Sequence, residues 1–194
     1  MKRILSLVFA LTMCFCLFSC GEETDVPVGM QLASNTDIVD YKLFVPMEWK
    51  VTTADKTSTQ AYVSESDRTN VLVNQWNMTE NTKTVSDWWE KEYKPGVMTM
   101  NAFNDIKIVK NKDGKEGENI TVDGKPAIKY VYTALVADTY FKFETIGCVA
   151  NGSIYVIQFT YMQDITPEGE AVTFSSVDYY KEAVDSIVAN FKFN

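Results

Sequence analysis

The chain has 194 residues, 46% of them apolar, with 26 acidic side chains against 18 basic ones and no histidine. That length suits one core of useful size, and the net charge of −8 opposes nucleic acid and anionic lipid surfaces. The missing histidine removes Ser-His-Asp and Cys-His catalysis, histidine general bases and histidine metal sites together.

In chain order, Lys2 and Arg3 precede an uncharged run from Ile4 to Phe18, which closes on the small residue Ser19. This is the three-part layout of a secretory signal. As a helix the run reaches only about 22 Å, short of the roughly 30 Å hydrocarbon core, so it suits cleavage better than a permanent span. Leu17-Phe18-Ser19-Cys20-Gly21 resembles the lipobox of bacterial lipoproteins, with Phe18 bulkier than the usual residue at its place. The resemblance implies a signal peptide over 1–19, cleavage before Cys20, and acylation of Cys20 with the fatty chains of a membrane anchor. Two or three acyl chains, at about 0.8 kcal/mol per buried CH₂, hold a protein firmly. Cys14 and Cys16 are then apolar residues of the discarded segment. Cleavage also removes two basic residues and no acidic one, making the mature chain more acidic still.

Residues 20–29, acidic and interrupted by Pro27 and Gly29, read as a tether. From Met30 to the end the pattern is that of a folded domain. Segments with β character lie at 41–45, 60–64, 70–78, 106–110, 127–135, 139–150 and 153–162. Asn151-Gly152 is the preferred pair for a two-residue type I′ hairpin, and Asp123-Gly124 marks another tight turn. A hairpin centred on Asn151-Gly152 sets Cys148 opposite Tyr155 and Ile146 opposite Ile157 on one side, and Val149 opposite Ile154 and Gly147 opposite Val156 on the other. Both sides are largely apolar, so the sheet needs cover on both faces. Two helices are predicted to supply it. Residues 84–94 run from a Thr84 cap to a Pro95-Gly96 stop, and 175–190 carry Val177, Tyr180, Val184, Ile187 and Val188 on one stripe that continues to Phe191. The expected fold is α+β, a mainly antiparallel sheet sandwiched by helices.

That arrangement resembles the PsbP-like (Mog1/PsbP) family, whose sheet is sandwiched in this way. The likeness is carried by Gly29-Met30 followed by Tyr41 to Trp49, by 61–73, by 124–133 and by the closing 187–193, in order across 30–194. It implies an accessory, protein-binding role and transfers no binding residue.

The remaining chemistry is sparse. Cys148 lies mid-strand, where an inert thiol is the ordinary outcome. Glu144, Asp87 with Glu90, and Glu65 with Asp67 are the carboxylates that could pair for glycoside hydrolysis, and with 26 acids in the chain scattered surface carboxylates are the ordinary explanation. In 111–119, Lys112 and Lys115 interrupt any calcium-loop series, which leaves a charged hairpin tip. Trp88-Trp89 is the most distinctive local feature: either both rings enter the core, or one anchors a partner or a sugar. The expectation is therefore a non-enzymatic lipoprotein of the bacterial cell envelope. It is extracytoplasmic, held to the membrane through Cys20, needs no cofactor, metal or nucleic acid, and binds an envelope protein by an acidic and aromatic face that includes Trp88 and Trp89. A solute- or cation-binding lipoprotein is the alternative, followed by a carboxylate-based hydrolase.

Overall fold

The computed structural model describes residues 26–52, 58–165 and 171–194. The signal segment, Cys20 and most of the tether lie outside the described residues.

The twelve described strands are β1 (Met30–Leu32), β2 (Tyr41–Lys42), β3 (Phe44–Pro46), β4 (Lys50–Thr52), β5 (Ser58–Tyr62), β6 (Asn70–Asn77), β7 (Asn104–Val109), β8 (Glu118–Val122), β9 (Lys125–Val136), β10 (Thr139–Ala150), β11 (Ser153–Met162) and β12 (Lys192–Phe193). Eight of them form one sheet in the order β4-β5-β6-β11-β10-β9-β7, with β8 also paired to β9 beyond the end of β7. All of its pairings are antiparallel. Two small ribbons, β1 with β3 and β12 with β2, pin the ends of the described chain to each other.

The central hairpin follows from its turn. Asn151 and Gly152 take φ of 47° and 74°, the left-handed pair that a type I′ turn demands. The register then places Cys148 opposite Tyr155, Ile146 opposite Ile157, Val149 opposite Ile154 and Gly147 opposite Val156. Because side chains alternate along a strand, these pairs belong to different faces and to different cores. Ile146, Cys148, Ile157 and Phe159 join one apolar cluster, while Phe143, Ile154 and Val156 join the other.

Each face is covered by its own helical segment. Over the first cluster lie α3 (Ser175–Tyr179) and α4 (Lys181–Asn190), parted at Tyr180, with Ile187 and Phe191 fully buried. Ser175 does not cap this segment. It is the first residue of α3, and its N–H and hydroxyl donate instead to the Asp164 carboxylate, at 3.0 and 2.7 Å.

Over the second cluster runs a rod of three pieces: α1 (Val85–Trp88), a π-helical turn (Trp89–Tyr93) and α2 (Lys94–Met98). Thr84 caps it as expected, its hydroxyl accepting from the Asp87 N–H at 3.0 Å. Pro95-Gly96 does not stop it. In the π turn the Lys94 N–H reaches back five residues to the Trp89 carbonyl, and Pro95, second in α2, has no N–H to satisfy. No described helix is long and apolar enough to cross a membrane.

Candidate functional site

Trp88 and Trp89 are both fully buried, so neither indole is presented to a partner. The 100° between helical neighbours leaves one ring at the edge only when the strands beneath fail to reach it. Here they reach both. Trp88 meets Trp76 of β6 edge-on at 5.8 Å, and Trp89 stacks on Tyr130 of β9 at 4.0 Å with the planes 3° apart. Trp89 also donates its indole N–H to Glu116 at 3.2 Å, and Lys94 reaches the same carboxylate oxygen at 2.7 Å. Lys94 foremost, then Trp89, holds Glu116 below the usual carboxylate range against the opposing effect of burial. The one acid of the 111–119 segment that turns inward therefore fixes the aromatic helix. Trp76, 36% exposed, meets solvent on this side.

The other sequence candidates are accounted for by their partners. Burial pushes the Cys148 thiol up to about 11, which leaves it protonated and inert at neutral pH. Asp67 accepts the Tyr180 hydroxyl at 2.7 Å and the Thr69 N–H at 3.1 Å. Together with Asp164 it borders an open hollow of about 610 Å³ beside α3, but Asp164 is equally committed, to Thr173 and Ser175. Asp87 is held low by Lys91 and Thr84. Glu144, half-buried on β10, pairs with Lys142 at 3.2 Å. Each of these acids already serves a structural bond.

Sequence reasoning missed β8. Asp123 and Gly124, with φ of 48° and 71°, form the two-residue turn that pairs Val122 with Lys125. Such a turn closes on a hydrogen-bonded pair. Alternation then makes Ile120 with Ala127 and Glu118 with Lys129 the other bonded pairs, while Asn119 and Thr121 turn their N–H and C=O groups away from β9. Pro126, which has no N–H, stands opposite Thr121, at a position that asks for none. Among the described residues, no hydrogen bond reaches the outward backbone groups of Asn119 and Thr121.

An open groove lies on each side of this bare edge. The one on the α4 face, about 480 Å³, has a floor of Ile120, Ile146, Val184 and Val188. Its rim carries Lys129, Glu144 and Asp185. The groove on the α1 face, about 410 Å³, is floored by Val85, Pro126, Ile128 and Val149, with Lys83, Ser86 and Asn119 at its mouth. Apolar floors with a few placed polar groups are what binding sites offer. The Asp123-Gly124 turn was the sequence signal that a strand had to precede β9.

No family model and no curated protein matches this chain. Solved structures do. A Bacteroides thetaiotaomicron protein is 9% identical with a TM-score of 0.52, the match covering 86% of this chain and 48% of that one, so this chain spans about half its length. A Pseudomonas aeruginosa protein of unknown function is 11% identical with a TM-score of 0.47, covering 81% of this chain and 92% of the other. LpqN of Mycobacterium tuberculosis, involved in cell envelope biogenesis, is 13% identical with a TM-score of 0.46, covering 79% and 83%. The likeness to the Bacteroides protein is one of fold: an antiparallel sheet layered with helices.

Proposed function

We propose that this chain is a PsbP-like lipoprotein of the bacterial envelope, tethered outside the cytoplasm by acyl chains on Cys20, that works by binding another envelope protein. The observation that carries the binding half is the open edge at β8 with an apolar-floored groove on either side. Its charged rim residues stand in ion pairs, Lys129 with Glu118 and Glu144 with Lys142. That arrangement suits recognition better than proton transfer. The anchoring half rests on Lys2-Arg3, the apolar run and Ser19-Cys20. Confinement to one membrane raises the local concentration of an equally confined partner, so a modest interface suffices.

Cross-linking in intact cells followed by mass spectrometry, beside a thermal-shift screen of small molecules and cations, tests this reading. The expected result is one envelope protein enriched with the wild-type chain and lost when Cys20→Ala releases it from the membrane fraction. Reproducible stabilisation by a solute or cation, with no protein enriched, overturns it.

A further inference from the structure

We propose that β8 is a docking edge for an extended segment of the partner, one in which a basic and a large apolar side chain alternate; this deepens the protein-binding reading and rests on it. The outward N–H and C=O groups of Asn119 and Thr121 are a ladder with one side missing. A strand added there gains main-chain hydrogen bonds, and its side chains fall alternately to the two faces of the sheet. Here each face offers a groove, and the two meet at Ile120, which borders both. One added strand fills them together.

The chemistry of the occupant follows from the linings. On the α1 face, Val85, Ile128 and Val149 call for a large apolar side chain. On the α4 face the apolar floor takes an aliphatic stem, while the rim carboxylates Glu144 and Asp185, each with a single lysine partner in Lys142 and Lys181, keep acceptor sites for a second cationic head. Behind burial, these two carboxylates are what hold the neighbouring Tyr161 hydroxyl above its usual range, so their fields converge on this stretch of the sheet. The chain's net charge of −8 draws in a basic segment from farther away. Arginine or lysine alternating with leucine or phenylalanine satisfies every wall.

The test uses the acylated full chain in detergent micelles and a ten-residue peptide of alternating Arg and Leu, with a Glu-Leu peptide and a composition-matched scramble as controls. Two further versions are N-methylated at alternate residues of opposite parity, which leaves charge and side chains unchanged. The parent peptide is expected to bind at least tenfold tighter than both controls. One N-methylated version should lose at least tenfold and the other should not, because only one parity of amides faces β8. Thr121→Pro, which removes an outward N–H and spares the β9 ladder, should weaken the parent peptide at least tenfold. Equal behaviour of the two N-methylated versions, or binding no better than the scramble, overturns the proposal whether or not the proline variant folds. Cross-linking in cells separates the two levels. A partner captured equally by wild type and Thr121→Pro removes the edge and leaves the protein-binding reading standing, whereas no partner with either chain removes that reading too. Cross-linked pairs of this chain that vanish in Thr121→Pro would show the edge occupied by a second copy, against the proposal.

Discussion

On one face of β10 and β11, Ile146, Cys148, Ile157 and Phe159 meet the mostly aliphatic stripe of α4. On the other face, Gly147, Ile154 and Val156 lie under a helix whose inner side is aromatic. The first core takes aliphatic side chains from its helix and its rings from the strands and the chain end: Tyr41 stacks on Phe191 at 5.5 Å and donates its hydroxyl to Thr59 at 2.8 Å, and Tyr155 donates to Asp40. In the second the helix itself brings the rings, on a π turn, together with their polar groups: Tyr93 donates to Gln158 and lies 3.3 Å from the Tyr132 hydroxyl, while the buried Trp88 indole N–H has no partner among the described residues. One pair of strands therefore supports two kinds of cover, a helix that brings aliphatic side chains to rings already in place and a helix that brings the rings itself.

Removing a ring should break the comparison most sharply. Trp89→Ala deletes the stack on Tyr130 and the bond to Glu116, and is expected to cost about 3–5 kcal/mol in urea unfolding. Ile187→Ala on the opposite face, where the side chain is fully buried, should cost about 2–5 kcal/mol. Gly147→Ala probes how tightly α1 sits. The added Cβ would come 2.6 Å from Val85 Cγ1, so about 1–3 kcal/mol of overpacking is expected, with the shift confined to the tryptophan fluorescence of the aromatic face.

The smallest effect is a pH dependence. Glu116 is held low in the folded chain, chiefly by Lys94. Its contribution is therefore present above the ordinary glutamate value of 4.5 and is lost as pH falls through the depressed folded value. Glu116→Gln should flatten the acid limb of the stability curve below pH 4.5 and leave an Ile187→Ala background otherwise unchanged. Equal acid sensitivity in Glu116→Gln and wild type would remove the role given to this pair.

The α4 stripe was legible because periodicity alone describes it. Val184 and Ile187 are buried where the helical spacing puts them, and β10 and β11 end where Asn151-Gly152 requires. The α+β layering followed from both sides of that hairpin being apolar. The aromatic helix was half legible: Thr84 announced its start, but a turn with five-residue hydrogen bonds leaves no period in the sequence, and Pro95 read as a stop. Trp88 and Trp89 could not be assigned to core or surface from spacing, since only the placement of Trp76 and Tyr130 on neighbouring strands decides that both are roofed. Glu118–Val122 escaped because its alternation, Ile120 and Val122 between Asn119 and Thr121, covers only four residues and follows directly on the charged 111–119 segment. Its backbone, not its side chains, makes it useful.

Amide hydrogen exchange on the acylated chain, with and without the alternating Arg-Leu peptide, tests most directly that this edge is the working surface. Without peptide, the amides of Asn119 and Thr121 should exchange freely while those of Ile120 and Val122, bonded to β9, are protected. With saturating peptide, exchange at Asn119 and Thr121 should slow at least tenfold, with Tyr132 and Ile187 unchanged. Protection of Asn119 and Thr121 before any peptide is added, or slowing confined to other parts of the chain, would contradict the account.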